Sequence, residues 1–522
     1  MRDVTRAGVF AAISCLSISI GASAQAQDVL LRSLDSSVEL EGDLIAFDGE
    51  FYRVDSVYGP LTISAEGVTC LGPGCPDLEA FVAEARFAGA PSMAERLIPA
   101  LLEAFALERG MEFTGEEGAD GTAVYQLMRS TDGTTAARFT VASTSSDEGF
   151  IALLNGEADL ALSLREPSVV ETRAAEMVEQ AEVSLSRRSR VVGLDALVPV
   201  VSPANPVMQL SLPQLISIFS GEITNWSDLG GPDAPIALHL PQDESGLAEI
   251  FIEDVMTPAE ANLASGIERH DDLRNISNEV VQDAYALGIT GYSAIRNARQ
   301  LAISGACGFA QLATPGSLKA EDYPLTAPLF IYTPSRRLPQ LVREFLAFFE
   351  SQAAERVVRR AGFVNQNITR TGVHTQGLRL TNAIRAAGDE IGLGDLQSLA
   401  EHLAQAERLS PTFRFAGGST DLDAQSRSSV SRLARSIERG QFDGRRLVFV
   451  GFSDSEGSAE VNARLSRSRA EAARAAVQDA AASANLSRVT MVVEAYGEAM
   501  PMACDDTEWG RAVNRRVEVW LE

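Results

Sequence analysis

The stretch VFVGFSDSEGSAEVNARLSRSRAEAAR, Val448–Arg474, changes its hydrophobic period midway and so decides how the last part of the chain folds. Val448–Val450 is an uninterrupted apolar run suited to a strand. A turn through Ser453, Asp454, Ser455 and Gly457 follows, and the Ala- and Arg-rich remainder reads as a helix. Working outward, FRFAGGSTDLD at Phe413–Asp423 places a strand and a further helix before it, while SRVTMVVEAYGE (Ser487–Glu498) and NRRVEVWLE (Asn514–Glu522) add strands after it. The order is βαβαββ, which predicts a compact α/β sandwich over residues 412–522.

Upstream, the sequence from about Thr369 to Leu409 is helical and polar on one face, which predicts a rigid helical connector over residues 366–411. Residues 77–365 alternate helical periodicity with short apolar strands, the α/β pattern. Helices are expected at SMAERLIPALLEAFALERG (Ser92–Gly110) and DEGFIALLNG (Asp147–Gly156), and strands at ARFTVAS (Ala137–Ser143) and ADLALSL (Ala158–Leu164). LDALVPVVSP, Leu194–Pro203, is an apolar run apart from Asp195 and Ser202 and suits a strand buried on both faces. Residues 27–76 instead alternate in short runs broken by Gly and Pro, a small β module with Val38, Leu40 and Leu44 facing inward.

The fold class is therefore α/β and multidomain. A length of 522 residues supplies several cores at about 100–200 residues per domain, and 45% hydrophobic with 22% charged residues is the mixture of packed domains rather than disorder. The first residues carry Arg2 and Arg6, an apolar stretch from Ala7 to Ile20, and small residues at Ala22-Ser23-Ala24 and Ala24-Gln25-Ala26. They predict a secretory signal, residues 1–26, cleaved near Gln25 or Gln27. The stretch is short and Ser-bearing for a membrane anchor, and Ala12-Ile13-Ser14 lacks the Leu expected ahead of a lipidated Cys15.

In an oxidising compartment the tight Cys70-Leu-Gly-Pro-Gly-Cys75 loop reads as a local disulfide. Cys307 and Cys504 remain, and the sequence leaves open whether they pair. The histidines His239, His270, His374 and His402 show no ligand spacing and no CxxC occurs, so neither a structural metal nor a cofactor is expected. The formal charge is −27, and −28 without the signal, which argues against a nucleic-acid partner. From Thr412 onward fifteen Arg face sixteen Asp and Glu, so the negative excess lies upstream.

The run Val448–Arg474, with VVEAYGE (Val492–Glu498) and GRAVNRRVEVW (Gly510–Trp520), resembles the OmpA-like peptidoglycan-binding domain from about Phe413 to Leu521. The resemblance implies that Asp454 and Arg469 grip the diaminopimelate of a peptidoglycan stem peptide, with Asn462 and Arg515 in support. The chemistry suits the ligand: an Asp pairs its ammonium and an Arg fork takes its carboxylate in two parallel hydrogen bonds. The residues alone also permit Asp454 to cap the turn Ser455–Gly457 and Arg469 to pair with Glu471 or Asp479 on a solvated face.

LDALVPVVSPANPVMQLSLPQLISIFSGEITNWSDLGG (Leu194–Gly231), VVQDAYALGITGYSAI (Val280–Ile295) and YPLTAPLFIYTP (Tyr323–Pro334) resemble the PstS-like phosphate-binding proteins of ABC transporters. That resemblance implies a two-lobed periplasmic binding protein fold of type II, with phosphate or a similar small oxyanion in the cleft. Helix starts at Ser92, Ser145 and Ser245-Gly246 offer N–H groups and hydroxyls to an anion. Ser92-x-x-Glu95 and Ser145-x-x-Glu148 are equally capping boxes. Pro241 and Leu247 stand where the family pattern has Arg and Thr, and Arg165, in the run from Ser163 to Pro167, is placed to substitute from the other lobe.

Together these readings describe a non-catalytic binding protein of the Gram-negative periplasm, associated with the cell wall or outer membrane. An ABC-transporter permease or an envelope protein is the further partner the resemblance implies. The alternative is an interaction protein whose central lobes have lost the ligand. No G-x-S-x-G elbow or H-E-x-x-H motif supports a hydrolase.

Overall fold

A computed structural model of the chain describes residues 28–78, 80–118, 121–179, 184–243, 245–305, 310–386, 391–415, 419–503, 505 and 508–522. The expected signal, Cys307 and Cys504 lie outside the described residues. No helix among the described residues is long and apolar enough to cross a membrane. The chain forms two compact units, the first ending at Phe81 and the second spanning Val82–Glu522.

The first unit is an antiparallel sheet of five strands in the order Gly59–Ser64, Phe51–Ser56, Glu39–Phe47, Asp28–Ser33, Val68–Leu71. Alternation buries Val29, Leu31, Tyr52 and Val54, and Leu40 and Leu44 pack partly against them. Val38 departs from its expected inward position, being 62% exposed. It precedes the strand that starts at Glu39, so the pleat does not fix its side. Cys70 and Cys75 are joined by a disulfide.

In the second unit the run expected as a doubly buried strand extends as Ser189–Val201 and is buried from Val191 onward. Its residues up to Ala196 pair with Thr326–Tyr332, and those from Leu197 pair with Ala286–Gly291. One strand therefore carries a single eleven-stranded sheet from the first lobe into the second. In the first lobe Ala83–Gly89, Thr135–Ser143 and Leu160–Ser163 run parallel; in the second, Ala237–Pro241, Glu268–His270 and Ala286–Gly291 do. Loops leaving the carboxyl ends of such strands are the usual place for a ligand.

The C-terminal sheet has the order Arg370–Gly372, Glu407–Arg414, Arg516–Leu521, Arg446–Gly451, Thr490–Ala495. Leu447 and Phe449 pack with Leu433, Ala470 and Ala473 of the helices Ala424–Glu438 and Ala459–Ala480. A short helix, Glu508–Asn514, precedes the last strand in addition to the expected order.

Residues expected as a rigid helical connector supply two strands of this sheet and helices that pack on it. Ala383, Leu399 and Leu403, on the helices Gly377–Ala386 and Leu393–Leu403, bury Val448, Val450 and Trp520 on the opposite face. The reason is the doubly apolar strand, whose second face needs its own cover. Arg379 of the first of these helices joins Arg408 and Arg516 around the fully buried Glu518. Burial would raise that carboxyl, but the arginines hold it far below the usual carboxylate range.

The central and C-terminal parts share a seam of largely buried ion pairs. Arg408 donates to both oxygens of Asp322, at 2.5 and 3.0 Å, Arg414 pairs with Glu321 at 2.8 Å, and Arg432 pairs with Glu355 at 3.0 Å. The N–H of Ala424, at the start of a C-terminal helix, donates to Glu166 of the first lobe at 2.8 Å.

Candidate functional site

At the end of the strand Arg446–Gly451 the sheet meets the helix Ala459–Ala480 so closely that a Cβ on Gly451 would lie 2.0 Å from the Ser466 carbonyl oxygen. Only glycine permits this approach, and it brings the turn Phe452-Ser453-Asp454 onto the inner face of that helix. Ser458 caps the helix, accepting from the Val461 N–H. Asn462 and Arg469, two helical turns apart, both point inward, with 1% and 0% exposure.

Asp454 is buried, and its Oδ2 accepts from Arg515 Nη1 at 2.9 Å. Arg469 lies over the Phe415 ring, 5.9 Å from its centroid, and its Nε, Nη1 and Nη2 have no hydrogen-bond partner. Burial lowers its pKa, Asp454 opposes that shift, and Arg515 adds to it. Asn462 Oδ1 and Ser453 Oγ are also buried without a partner. Arg469 is inside rather than on a solvated face, and Asp454 bonds Arg515. Asp454, Arg515 and Arg469 thus lie near one another, with Asp454 and Arg515 paired, while the Arg469 guanidinium, Asn462 Oδ1 and Ser453 Oγ have no hydrogen-bond partner among the described residues. A buried guanidinium without hydrogen-bond partners costs the fold several kcal/mol.

Residues the sequence reading passed over lie beside this group: Phe415 lies under the Arg469 guanidinium, Ser453 precedes Asp454 with its hydroxyl buried, and Asn514 fixes the loop beyond by accepting at Oδ1 from the N–H groups of Met502 and Ala503, at 2.7 and 3.2 Å. Ser453 was legible as the neighbour of Asp454; Phe415 required the tertiary fold.

The central cleft is built from both lobes. A Cβ on Gly89, whose φ is 137°, would lie 2.0 Å from the Leu162 carbonyl oxygen, and the Thr144 N–H donates to the Gly89 carbonyl at 3.0 Å. These contacts gather the loops bearing Ser92, Ser145 and Ser163-Arg165 at the carboxyl ends of three neighbouring parallel strands. From the second lobe, Gly246 is close enough that a Cβ would sit 3.0 Å from Leu164 and 3.3 Å from Ser146 Oγ.

The serines differ in what they have left to offer. Ser145 forms a full capping box with Glu148. Ser163 Oγ donates to the Arg165 carbonyl at 2.8 Å and accepts from the Arg165 N–H at 3.1 Å. Ser245 precedes the helix Gly246–Ile250 without a side-chain cap bond. Ser92 does not form the capping box its spacing suggests: its Oγ is buried without a partner, while Glu95 accepts from Ser143 at 2.7 Å.

Arg165 reaches both oxygens of Glu171 at 2.9 Å, hydrogen-bonds Asp147, and lies 3.7 Å from Glu253 of the other lobe. Burial pulls its pKa down, and the bonds to Glu171 and Asp147 outweigh it and hold it above its ordinary value. Burial raises the Glu249 carboxyl from its ordinary value. Asp254 is raised likewise, by burial and by Glu253. Leu247 is buried in the core, and the carbonyl of Pro241 accepts from Arg269, a cation the sequence gave no reason to place here. Arg269 is also paired with Asp243, at 2.8 Å.

Residues 116–353 match the model of a PBP superfamily domain, and residues 414–515 match the OmpA family. The chain is 29% identical over 188 residues to the phosphate-binding protein PstS of Bacillus subtilis, which covers 35% of this chain and 58% of that protein. It is 32% identical over 122 residues to the peptidoglycan-associated lipoprotein of Pseudomonas putida, covering 23% of this chain and 68% of that protein. The crystal structure of an ABC-type phosphate transport receptor from Vibrio cholerae aligns over 54% of this chain and 99% of its own, with 20% identity and a TM-score of 0.41.

Proposed function

We propose that this chain, which belongs to the OmpA family through residues 414–515 and carries a PBP superfamily domain over residues 116–353, is a non-catalytic, wall-attached binding protein of the cell envelope. Its C-terminal domain holds the diaminopimelate of a peptidoglycan stem peptide, and its central cleft takes phosphate or a similar small oxyanion. The observation that carries the first part is Arg469, buried with all its guanidinium nitrogens unpartnered beside Asp454. In this reading Arg469 takes the ligand carboxylate, Asp454, oriented by Arg515, takes the ammonium, and Asn462 adds a polar contact.

The second part draws on the likeness to the phosphate-binding PstS and on the Ser92 hydroxyl, with Ser245, Gly246 and the Ser145 helix start supplying further donors. Export by the signal at residues 1–26 puts the protein in the periplasm. The test is co-sedimentation of the full chain lacking its signal with diaminopimelate-type peptidoglycan, together with calorimetric titration of phosphate. Failure of the wall-bound fraction to fall in Arg469→Ala would overturn the first part.

A second reading, in which the central lobes bind an envelope protein or a transporter permease, is favoured by the carboxylates Glu249, Glu253 and Asp254 around the cleft. Absence of phosphate heat at all pH values, with a retained protein partner, would select it.

A further inference from the structure

His239 and His270 lie thirty-one residues apart and meet through strand pairing. Ala237–Pro241 and Glu268–His270 run parallel, the second at the edge of the eleven-stranded sheet, with His239 opposite Glu268 and Pro241 opposite His270. Residues two apart share one face of a strand, so His239, Glu268 and His270 project to the same side. His239 Nδ1 and His270 Nε2 are 2.9 Å apart. Glu268 reaches to 3.7 Å from the first of these nitrogens and 4.0 Å from the second. Both imidazoles are largely buried, with side-chain exposures of 8% and 9%, and the more exposed carboxylate closes the open side.

A tetrahedral ion with bonds of about 2.0–2.1 Å holds its ligand atoms about 3.3 Å from one another, and the separations here straddle that value. Two imidazole nitrogens with one carboxylate oxygen form the N/O set preferred by Zn²⁺ and its neighbours, whereas Ca²⁺ and Mg²⁺ favour oxygen alone. Three protein ligands leave the fourth position to water. Both strands end at the cleft. The first runs on into the loop before Ser245 and Gly246, and the second into Asp272, which caps the helix Leu273–Gln282.

We propose that His239, Glu268 and His270 form a site for a divalent transition metal of the Zn²⁺ class, which staples the edge strand of the second lobe to its neighbour and steadies the loops at the cleft. The spacing of the histidines concealed it, because the ligands come from two strands rather than from one motif. The competing arrangement is a pair of neutral imidazoles sharing one proton.

The test uses the full chain lacking its signal, without an affinity tag and stripped with a chelator. ZnCl₂ is titrated by calorimetry, and CoCl₂ is followed by the visible absorption of tetrahedral Co²⁺. One Zn²⁺ per chain is expected, with a rise in melting temperature. Glu268→Gln, at an exposed position that leaves the fold intact, should weaken binding at least about tenfold, since even outer-shell changes act on that scale. His270→Ala should abolish the cobalt band. No stoichiometric Zn²⁺ binding, or binding and a cobalt band unchanged in Glu268→Gln and His270→Ala, would overturn the proposal.

Discussion

Arg469 in the C-terminal pocket and Arg165 in the central cleft are the same residue in opposite electrostatic conditions. Arg469 is wholly buried and its guanidinium has no hydrogen-bond partner. Arg165 is engaged by Glu171, Asp147 and Glu253. An unpaired cation costs the folded protein stability and is available to an incoming anion; a paired one supports the fold and must be released before it can bind. The difference teaches that a site is recognised by the charge its neighbours leave uncompensated, not by the type of residue present.

The largest expected effect tests the unpaired side of that contrast. Arg469→Ala or Asp454→Asn should weaken attachment to diaminopimelate-type peptidoglycan by about 2–5 kcal/mol, roughly thirty- to several-thousand-fold, because the opposite ligand charge is left uncompensated. Sedimentation isotherms of the full chain measure it, and full-strength binding by a folded Asp454→Asn would remove Asp454 from the role of ammonium acceptor.

Next comes the sign of the stability change. Arg469→Met should stabilise the protein by about 1–4 kcal/mol, since it replaces a buried charge that has no hydrogen-bond partner with an apolar side chain. Arg165→Met should destabilise it by about 1–3 kcal/mol, because it strands Glu171 and its neighbours. Denaturant midpoints of the two variants report the signs, and a shift of the same sign in both would break the comparison.

The acidic cleft predicts a pH dependence. Glu249 has a folded-state pKa raised by burial, so it is neutral below that value and repels an oxyanion above it. Phosphate affinity should therefore fall as pH rises through the raised pKa, and Glu249→Gln should flatten the profile and strengthen binding about tenfold at high pH, worth about 1.4 kcal/mol. Sulfate, whose charge does not change over this range, is the control in the same calorimetric titrations; an unaltered profile in the variant would separate Glu249 from the ligand.

The smallest effects divide the serines. Ser145→Ala should cost about 1 kcal/mol of stability through its lost cap and leave phosphate affinity nearly unchanged. Ser92→Ala should lower affinity by about 0.5–1.5 kcal/mol with little loss of stability. Thermal melts beside the titrations distinguish the two, and the reverse assignment would show that Ser145 is the ligand-facing hydroxyl.

Much of the C-terminal pocket was legible because Asp454, Asn462 and Arg469 sit on one strand–turn–helix stretch, where local periodicity fixes which residues share a face. Arg515 enters from the bend between the helix Glu508–Asn514 and the last strand, and its bond to Asp454 depends on the pairing of Arg516–Leu521 with Arg446–Gly451. The central cleft was less legible. Its serines mark helix starts in the sequence, but Glu249, Glu253 and Arg269 come from segments with no motif of their own.

The sequence by itself determined the elements and their kind: the doubly apolar run within Ser189–Val201, the alternating N-terminal strands, and the strand-to-helix change after Val450. Periodicity and turn chemistry are local, and a chain of one strand or one helix already expresses them. Tertiary structure alone decided which charges are spent. It placed Arg379 against Glu518, turned the expected connector into the second cover of the C-terminal sheet, saturated Arg165 and left Arg469 open. Those outcomes depend on distances of a few ångströms between residues far apart in the chain, where burial magnifies each charge and no local pattern records its partner.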